Sequence, residues 1–509
     1  MRSENSIKNT IMSVITNVIT IIIGIVAQAV FVKTLGTEYL GINGLFSNII
    51  SMLAIAELGI GTAIVYSLYK PIAQNDNDKI KSLINFYKTS YRLIAIGITI
   101  VGLLVIPLLK FIVGDVSINE NIIFIYVLFL IDTIVSYMLT YKRSILYATQ
   151  KNYIINAIHI LYLVIMNSLQ IVILITLKNY ILYLIIKIIC RLFENILINI
   201  ISNKLYPYLK EKDIEKLDTN TKNSIFTKVK GLIFHKLGSF LVLGTDNILI
   251  SISFGVETVG YYANYNTIIY AVSVLFAQIF SSLTASVGNL LVEKDRKKSY
   301  AIFKNMLLIN SWIYCFAAVS IICLIEPFVT LWIGNKFILP YDVLVVLVIN
   351  FYIQGMRQTY NTFKNAAGIF YEDRFVPLLE SALNIIASII FLNIFGLSGV
   401  FIGTIISSFA LFAFSYPKYI YNGIFKRSYI QYIKENIKYI IITTITVVIS
   451  VIISKNIRIA NAFIQLIINS IIAISIPNII YYLLFRKTEE FSYIKALLNI
   501  LKNRLIRKK

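Results

Sequence analysis

Residues Gly244 to Tyr262 read GTDNILISISFGVETVGYY, and two features of that stretch decide how the chain is read. Its first part sets a carboxylate, Asp246, in the middle of an apolar run, and an acid at bilayer depth is costly enough to mark a functional site by default. Its second part, Phe254-Gly255-Val256-Glu257-Thr258-Val259-Gly260, repeats Leu35-Gly36-Thr37-Glu38-Tyr39-Leu40-Gly41 at a distance of 219 residues. The offset recurs. The run IPLLKFIVGD at Ile106 to Asp115 lines up with EPFVTLWIGN at Glu326 to Asn335 at a distance of 220, and Thr140-Tyr141 meets Thr359-Tyr360 at 219 again.

A duplicated unit of about 200 residues accounts for all three matches, an internal symmetry common among membrane transporters. Composition agrees with that class. Hydrophobic residues make up 58% and charged residues 14%, against roughly 45–50% and 25% for a soluble globule, and the mean hydropathy is +0.78. The first apolar run, Ile11 to Val32, is too long for a signal-peptide core and has no small-residue cleavage site after it, so it reads as a first span. Cys190, Cys315 and Cys323 all lie inside apolar runs without metal-ligand spacing, and no disulfide or metal is expected.

Apolar runs of about 20 residues place spans near 11 to 32, 40 to 67, 90 to 112, 121 to 141, 153 to 176 and 180 to 202. The second half gives 235 to 254, 259 to 288, 305 to 326, 341 to 362, 376 to 394 and 397 to 420, and 437 to 454 and 461 to 485 stand outside the duplication. The expected fold is an all-α polytopic membrane protein of about 14 helices. Residues 1–202 form one six-helix lobe, 203–230 a basic linker, 231–421 a second six-helix lobe, and 422–509 an extra helix pair with a basic tail. With this count about 39 of the 47 Lys and Arg residues fall on one side and about six on the other. That bias accounts for the net charge of +22 without nucleic acid, and it places both termini in the cytoplasm. The loops are too short for a catalytic domain, which needs on the order of 50 residues or more. Function is therefore expected among the helices, with no catalytic residue, and the sequence carries no P-loop, HExxH or nucleophile elbow.

Ionisable residues at membrane depth are few: Glu57, Asp132, His159, Lys187, Arg191, Glu194, Asp246, Arg357 and Glu380. All lie in the duplicated spans. Lys187, Arg191 and Glu194 share a helix face, which either holds a phosphate or diphosphate through the two cations or forms an internal ion-pair network. Arg357 is a further anion contact or a side chain reaching for the interface. Asp132 and Asp246, near the centres of their spans, either serve a coupling H+ or Na+ or pair with nearby donors. Glu57 and Glu380, nearer the inner surface, have a stronger structural case, as has His159. Asp76-Asn77-Asp78 is formally a DxD but sits in a short lysine-flanked loop; Gly399 to Gly403 is a GxxxG suited to helix packing, and Pro477 is the one proline placed well inside a span.

The Gly36 to Gly41 motif with its echo at Gly255 to Gly260, Thr245 to Ser251, the two Pro-to-Gly segments and Phe395 to Thr404 resemble the oligosaccharide flippases. These are the Wzx-type polysaccharide exporters of the multidrug/oligosaccharidyl-lipid/polysaccharide exporter superfamily. Tyr141 to Lys151 and Asn179 to Leu209 resemble its Gram-positive branch. The resemblance implies two lobes around an alternately opening cavity that carries an undecaprenyl-diphosphate-linked oligosaccharide outward across the bacterial cytoplasmic membrane. It also implies membrane lipids, a polysaccharide polymerase and glycosyltransferases as partners, and no cofactor beyond a coupling ion. Lys187 and Arg191 would supply the cationic cavity. A cation-coupled drug exporter on the same fold is the main alternative. A membrane glycosyltransferase or polymerase, and a non-transporting assembly partner, lie further off.

Overall fold

A computed structural model describes residues 2–53, 57, 60–211, 214–215, 217–293, 295–369, 372–457 and 459–496. Lys294, Arg458 and the basic tail from 497 on lie outside the described residues. All described elements are helical. Their order is α1 (Arg2–Leu35), α2 (Thr37–Leu53), α3 (Ile60–Gln74), α4 (Asn77–Val113), α5 (Ile122–Tyr137), α6 (Arg143–Ala148), α7 (Asn152–Thr176), α8 (Tyr180–Leu205) and α9 (Thr219–Phe254). Then follow α10 (Val256–Val292), α11 (Arg296–Trp332), α12 (Tyr341–Ala366), α13 (Val376–Phe395), α14 (Leu397–Ala410) with a π-helical continuation Leu411–Ile424, α15 (Tyr429–Asn456) and α16 (Ala462–Phe485). Counting α2 with α3 as one passage, and joining α5 to α6 and α14 to its continuation, the described helices group into fourteen passages.

Among the described residues ten helical stretches, with α5 joined to α6 and α14 to its continuation, are apolar and long enough to cross a membrane. Two that fall short, α8 and α12, carry Lys187, Arg191 and Glu194 in one case and Arg357 in the other. Polar cargo on a spanning helix is tolerated when it faces protein or water and not lipid. The lipid side is plain on α4, where Leu104 and Phe111 are 69% and 70% exposed, apolar surface that belongs in hydrocarbon.

The duplication reappears as matched elements. Helices α4 and α11 are each 37 residues long and each contains a proline near its C-terminal end, Pro107 and Pro327. Each is capped by an aspartate, Asp76 accepting from the Lys79 amide at 2.9 Å and Asp295 from Lys298 at 3.0 Å. Such caps satisfy an otherwise orphaned N–H at a helix start. Gly36 and Gly255 turn the chain at φ +97° and +83° between α1 and α2 and between α9 and α10. Past these turns the two copies meet. A Cβ on Gly41 would stand 1.9 Å from the Val256 carbonyl oxygen, and one on Gly260 would stand 2.1 Å from that of Thr37. Since Thr37 and Val256 occupy equivalent places in the repeat, the contact between α2 and α10 is reciprocal, and only glycine permits it.

By its internal contacts the chain divides into Met1–Asn264 and Tyr265–Lys509, the division falling within α10. In the first unit α9 packs on α2, α3 and α4, and α1 on α7. In the second, α15 and α16 pack on α11, where Trp312 donates to Asn478 at 2.9 Å and Asn469 to the Cys323 carbonyl at 2.5 Å. Two sequence expectations need correction. Helices α4 and α11 begin at Asn77 and Arg296, well before the apolar runs at 90 and 305; and Pro477 is joined inside helical segments by Pro71, Pro107, Pro327 and Pro417. Hydropathy stops at the first charges, whereas a capped helix continues through lysines into the headgroup layer. Pro417 sits in the π-helical segment, where its missing N–H is absorbed by the altered register.

Candidate functional site

Helix α8 starts from Asn179, whose side chain accepts from the Leu182 amide at 2.9 Å. At about 1.5 Å rise per residue, Lys187, Arg191 and Glu194 lie roughly 10, 16 and 21 Å from that start, so Arg191 stands near the middle of a hydrocarbon layer about 30 Å thick. On α5, capped by Asn121, Asp132 comes to the same depth. Asp132 receives both cations. Lys187 Nζ lies 3.1 Å from Oδ2, and Arg191 Nε donates to Oδ1 at 2.6 Å. Each cation also faces an aromatic ring, Lys187 over Phe129 at 5.1 Å and Arg191 over Tyr162 at 5.6 Å.

Glu194 looks the other way along α8. It is buried, 2.9 Å from His159 Nδ1 on α7 and 3.3 Å from Arg143 at the start of α6. Arg143 also donates to Asn195 Oδ1 at 3.0 Å, and Asn195 donates to the Val135 carbonyl at 2.7 Å. The sequence put Lys187, Arg191 and Glu194 on one face; the structure sends the cations to Asp132 and leaves Glu194 to Arg143 and His159. Sequence reasoning missed Arg143 as a member. It read as a loop cation because it directly follows an apolar run, and the left-handed Leu139 at φ +62° that ends α5 and starts the tight turn Thr140–Lys142 has no sequence signature.

Three cations, Lys187, Arg191 and Arg143, thus face two carboxylates, Asp132 and Glu194, leaving a surplus of one positive charge before His159 is counted. Lys187 and Arg191 are 24% exposed at the side chain. Their single shared carboxylate leaves the terminal nitrogens of Arg191 and two donors of Lys187 without an acceptor among the described residues.

In the second unit Arg357 of α12 forms a two-pronged pair with Glu380 of α13, at 2.6 and 3.2 Å, and also donates to Gln354 at 2.8 Å. The fork is occupied, and charge is balanced. Nearby Lys364 pairs with buried Asp373, which also accepts from Ser415 at 2.8 Å. Glu57 accepts from Tyr91 of α4. Asp246 is buried on α9, in the field of Tyr262 on α10.

No protein-family model and no curated protein matches the sequence. Solved structures match the fold. The lipid II flippase MurJ in an inward closed conformation superposes with a TM-score of 0.67 and 16% identity, covering 94% of this chain and 99% of that one. An inward-facing multidrug resistance MATE family transporter of the MOP superfamily gives 0.62 and 16%, covering 78% and 92%. The Vibrio cholerae MATE transporter VcmN in the bent form gives 0.51 and 16%, covering 81% and 95%. The chain therefore has the fold of MurJ-type and MATE-type polytopic membrane proteins.

Proposed function

We propose that the protein is a flippase that carries an undecaprenyl-diphosphate-linked oligosaccharide outward across the bacterial cytoplasmic membrane by alternating access, with both termini cytoplasmic. The observation that carries this reading is the pair Lys187 and Arg191, partly exposed at mid-membrane and sharing one carboxylate. A diphosphate offers paired oxygens to the Arg191 fork and a compact charge to Lys187. Asp132 has a second task in this scheme. Two bare cations would hold a diphosphate too tightly to release it, whereas a resident carboxylate reclaims them as the anion leaves. Asp246, buried on α9, is the proposed coupling group for H+ or Na+. Membrane lipids surround the chain, and a polymerase and glycosyltransferases are the proposed partners on either side of the step.

The fold likeness to a lipid II flippase supports the lipid-linked substrate class, and the likeness to MATE transporters keeps a second reading, cation-coupled export of a small molecule, in which Asp132 and Asp246 would be the cavity acids. Reconstituted liposomes separate them. Arg191→Ala is expected to abolish flipping of the diphosphate-linked lipid while the protein still inserts; unchanged flux removes Arg191 from the substrate site. Asp246→Asn is expected to change the response of flux to an imposed proton or sodium gradient, and a wild-type response ends that assignment.

A further inference from the structure

On the lysine-rich side of the first unit, away from the Asp132 cluster, lies a cavity of about 330 Å³ lined by Lys81, Lys88, Lys142, Lys210, Glu211 and Tyr141 among others. It forms where the first turns of α4 meet the turn Thr140–Lys142 and the short helix Pro207–Lys210. Lys81 has its charge answered twice, by Glu211 at 2.6 Å and Asp78 at 2.8 Å. Lys142 does not. It is only 5% exposed, and its ammonium is held by two neutral oxygens, Asn203 Oδ1 at 2.8 Å and the Leu209 carbonyl at 3.2 Å. No carboxylate reaches it among the described residues. Burying an ammonium without a counter-charge is expensive, since neutral dipoles replace only part of its hydration.

The neighbours make matters worse. Lys88 and Lys142 approach the same Tyr141 ring, at 5.9 and 5.7 Å, and Lys210 adds a third cation to the lining. Among the described residues four lysines against Glu211 and Asp78 leave two positive charges around one cavity, with one N–H of Lys142 unspent. We infer that this cavity binds a phosphate-bearing anion, with the buried Lys142 ammonium as its fixed contact and Lys88 and Lys210 as mobile ones. The phosphate belongs either to the headgroup of an anionic lipid at the inner surface or to a soluble phosphate compound, and the two are separable by experiment. This site shares no residue with Lys187, Arg191 and Asp132, so it stands whether or not the transport reading does.

The test uses the full-length protein, delipidated in a neutral detergent and titrated with three probes: phosphatidylglycerol in mixed micelles, inorganic pyrophosphate, and phosphatidylcholine as the zwitterionic control. Binding to the wild type should be saturable for one or both anions and weak for phosphatidylcholine. Lys88→Ala with Lys210→Ala, two accessible positions whose loss leaves the fold standing, should weaken it at least tenfold, and Lys88→Arg should restore most of it. Lys142→Met should remove it. Binding of phosphatidylglycerol without pyrophosphate assigns a lipid, and tight pyrophosphate binding assigns a soluble ligand. Equal binding of both anions by the wild type and the Lys88→Ala, Lys210→Ala variant, or no anion binding by the folded wild type, overturns the proposal.

Discussion

The two halves of the repeat agree in scaffold and disagree in charge. Asp76 and Asp295, Pro107 and Pro327, Gly36 and Gly255, and Gly41 and Gly260 hold the same places in their helices. At the 219-residue offset, however, Asp132 meets Phe351, Lys187 meets Ile406 and Arg191 meets Ala410, while Arg357 and Glu380 meet Met138 and Leu161. The two halves share what fixes backbone geometry. The charges do not follow the repeat: a cation-rich, partly exposed cluster stands in the first unit and a balanced, occupied Arg357–Glu380 pair in the second. The chemistry therefore resides in an asymmetry laid over a symmetric frame.

The largest expected effect tests the frame. Gly41→Val or Gly260→Val drives a side chain into a backbone carbonyl that cannot move aside, and overpacking of this kind costs about 1–3 kcal/mol or more. Both variants should lose folded yield in detergent, as read by gel filtration, whereas Gly24→Ala, with open space around it, should not. If only one of the reciprocal pair is sensitive, the contact between α2 and α10 is not the symmetric element described here.

Next come the charges. Removing one partner of a buried pair costs about 3–5 kcal/mol, whereas replacing both with apolar groups of similar size is often neutral. Glu380→Gln alone should lower thermal stability, and Arg357→Met with Glu380→Leu should recover both stability and flux. Asp132→Leu with Lys187→Met leaves Arg191 without its carboxylate, so it should recover neither stability nor flux. Flux regained by this second double variant would reduce the first cluster to a packing network like that of its counterpart.

Much of this was legible in the sequence because membrane burial makes hydropathy and glycine pattern informative together. The fold class, the helix count and the glycine echo follow from residues alone. The pairing within the site did not. Lys187 and Glu194 are close on a helical wheel, but which partner each chooses depends on where α5 and α7 bring Asp132 and His159, 55 and 35 residues away in the chain. Lys142 was hidden for a related reason. As one of many lysines on its side it served the topology count, and only the packing of residues 203–211 around it makes it a buried cation.

The smaller effects measure how far the scaffold is shared. Asp76→Ala and Asp295→Ala each remove an N-cap at equivalent places, and each should cost about 1 kcal/mol, with similar shifts in midpoint. The smallest effect distinguishes the α4 end from its counterpart. Asp218 caps α9, accepting from the Thr221 amide at 2.8 Å, and also pairs with Lys79, which follows the Asp76 cap of α4. The hydrogen bond from Lys79, followed by those from Thr221, holds the Asp218 carboxyl below its usual range. A carboxyl so depressed favours the folded state at pH values above its unfolded pKa and gives up that contribution as pH falls toward its folded one. Amide exchange at the first turn of α9 should therefore quicken, relative to the intrinsic rate, on acidification below about pH 4, where a free aspartate begins to take its proton. Asp218→Asn, which keeps a cap acceptor but drops the ion pair, should show the faster exchange at neutral pH and little further change on acidification; an acid response equal to that of the wild type would assign the titration to another group.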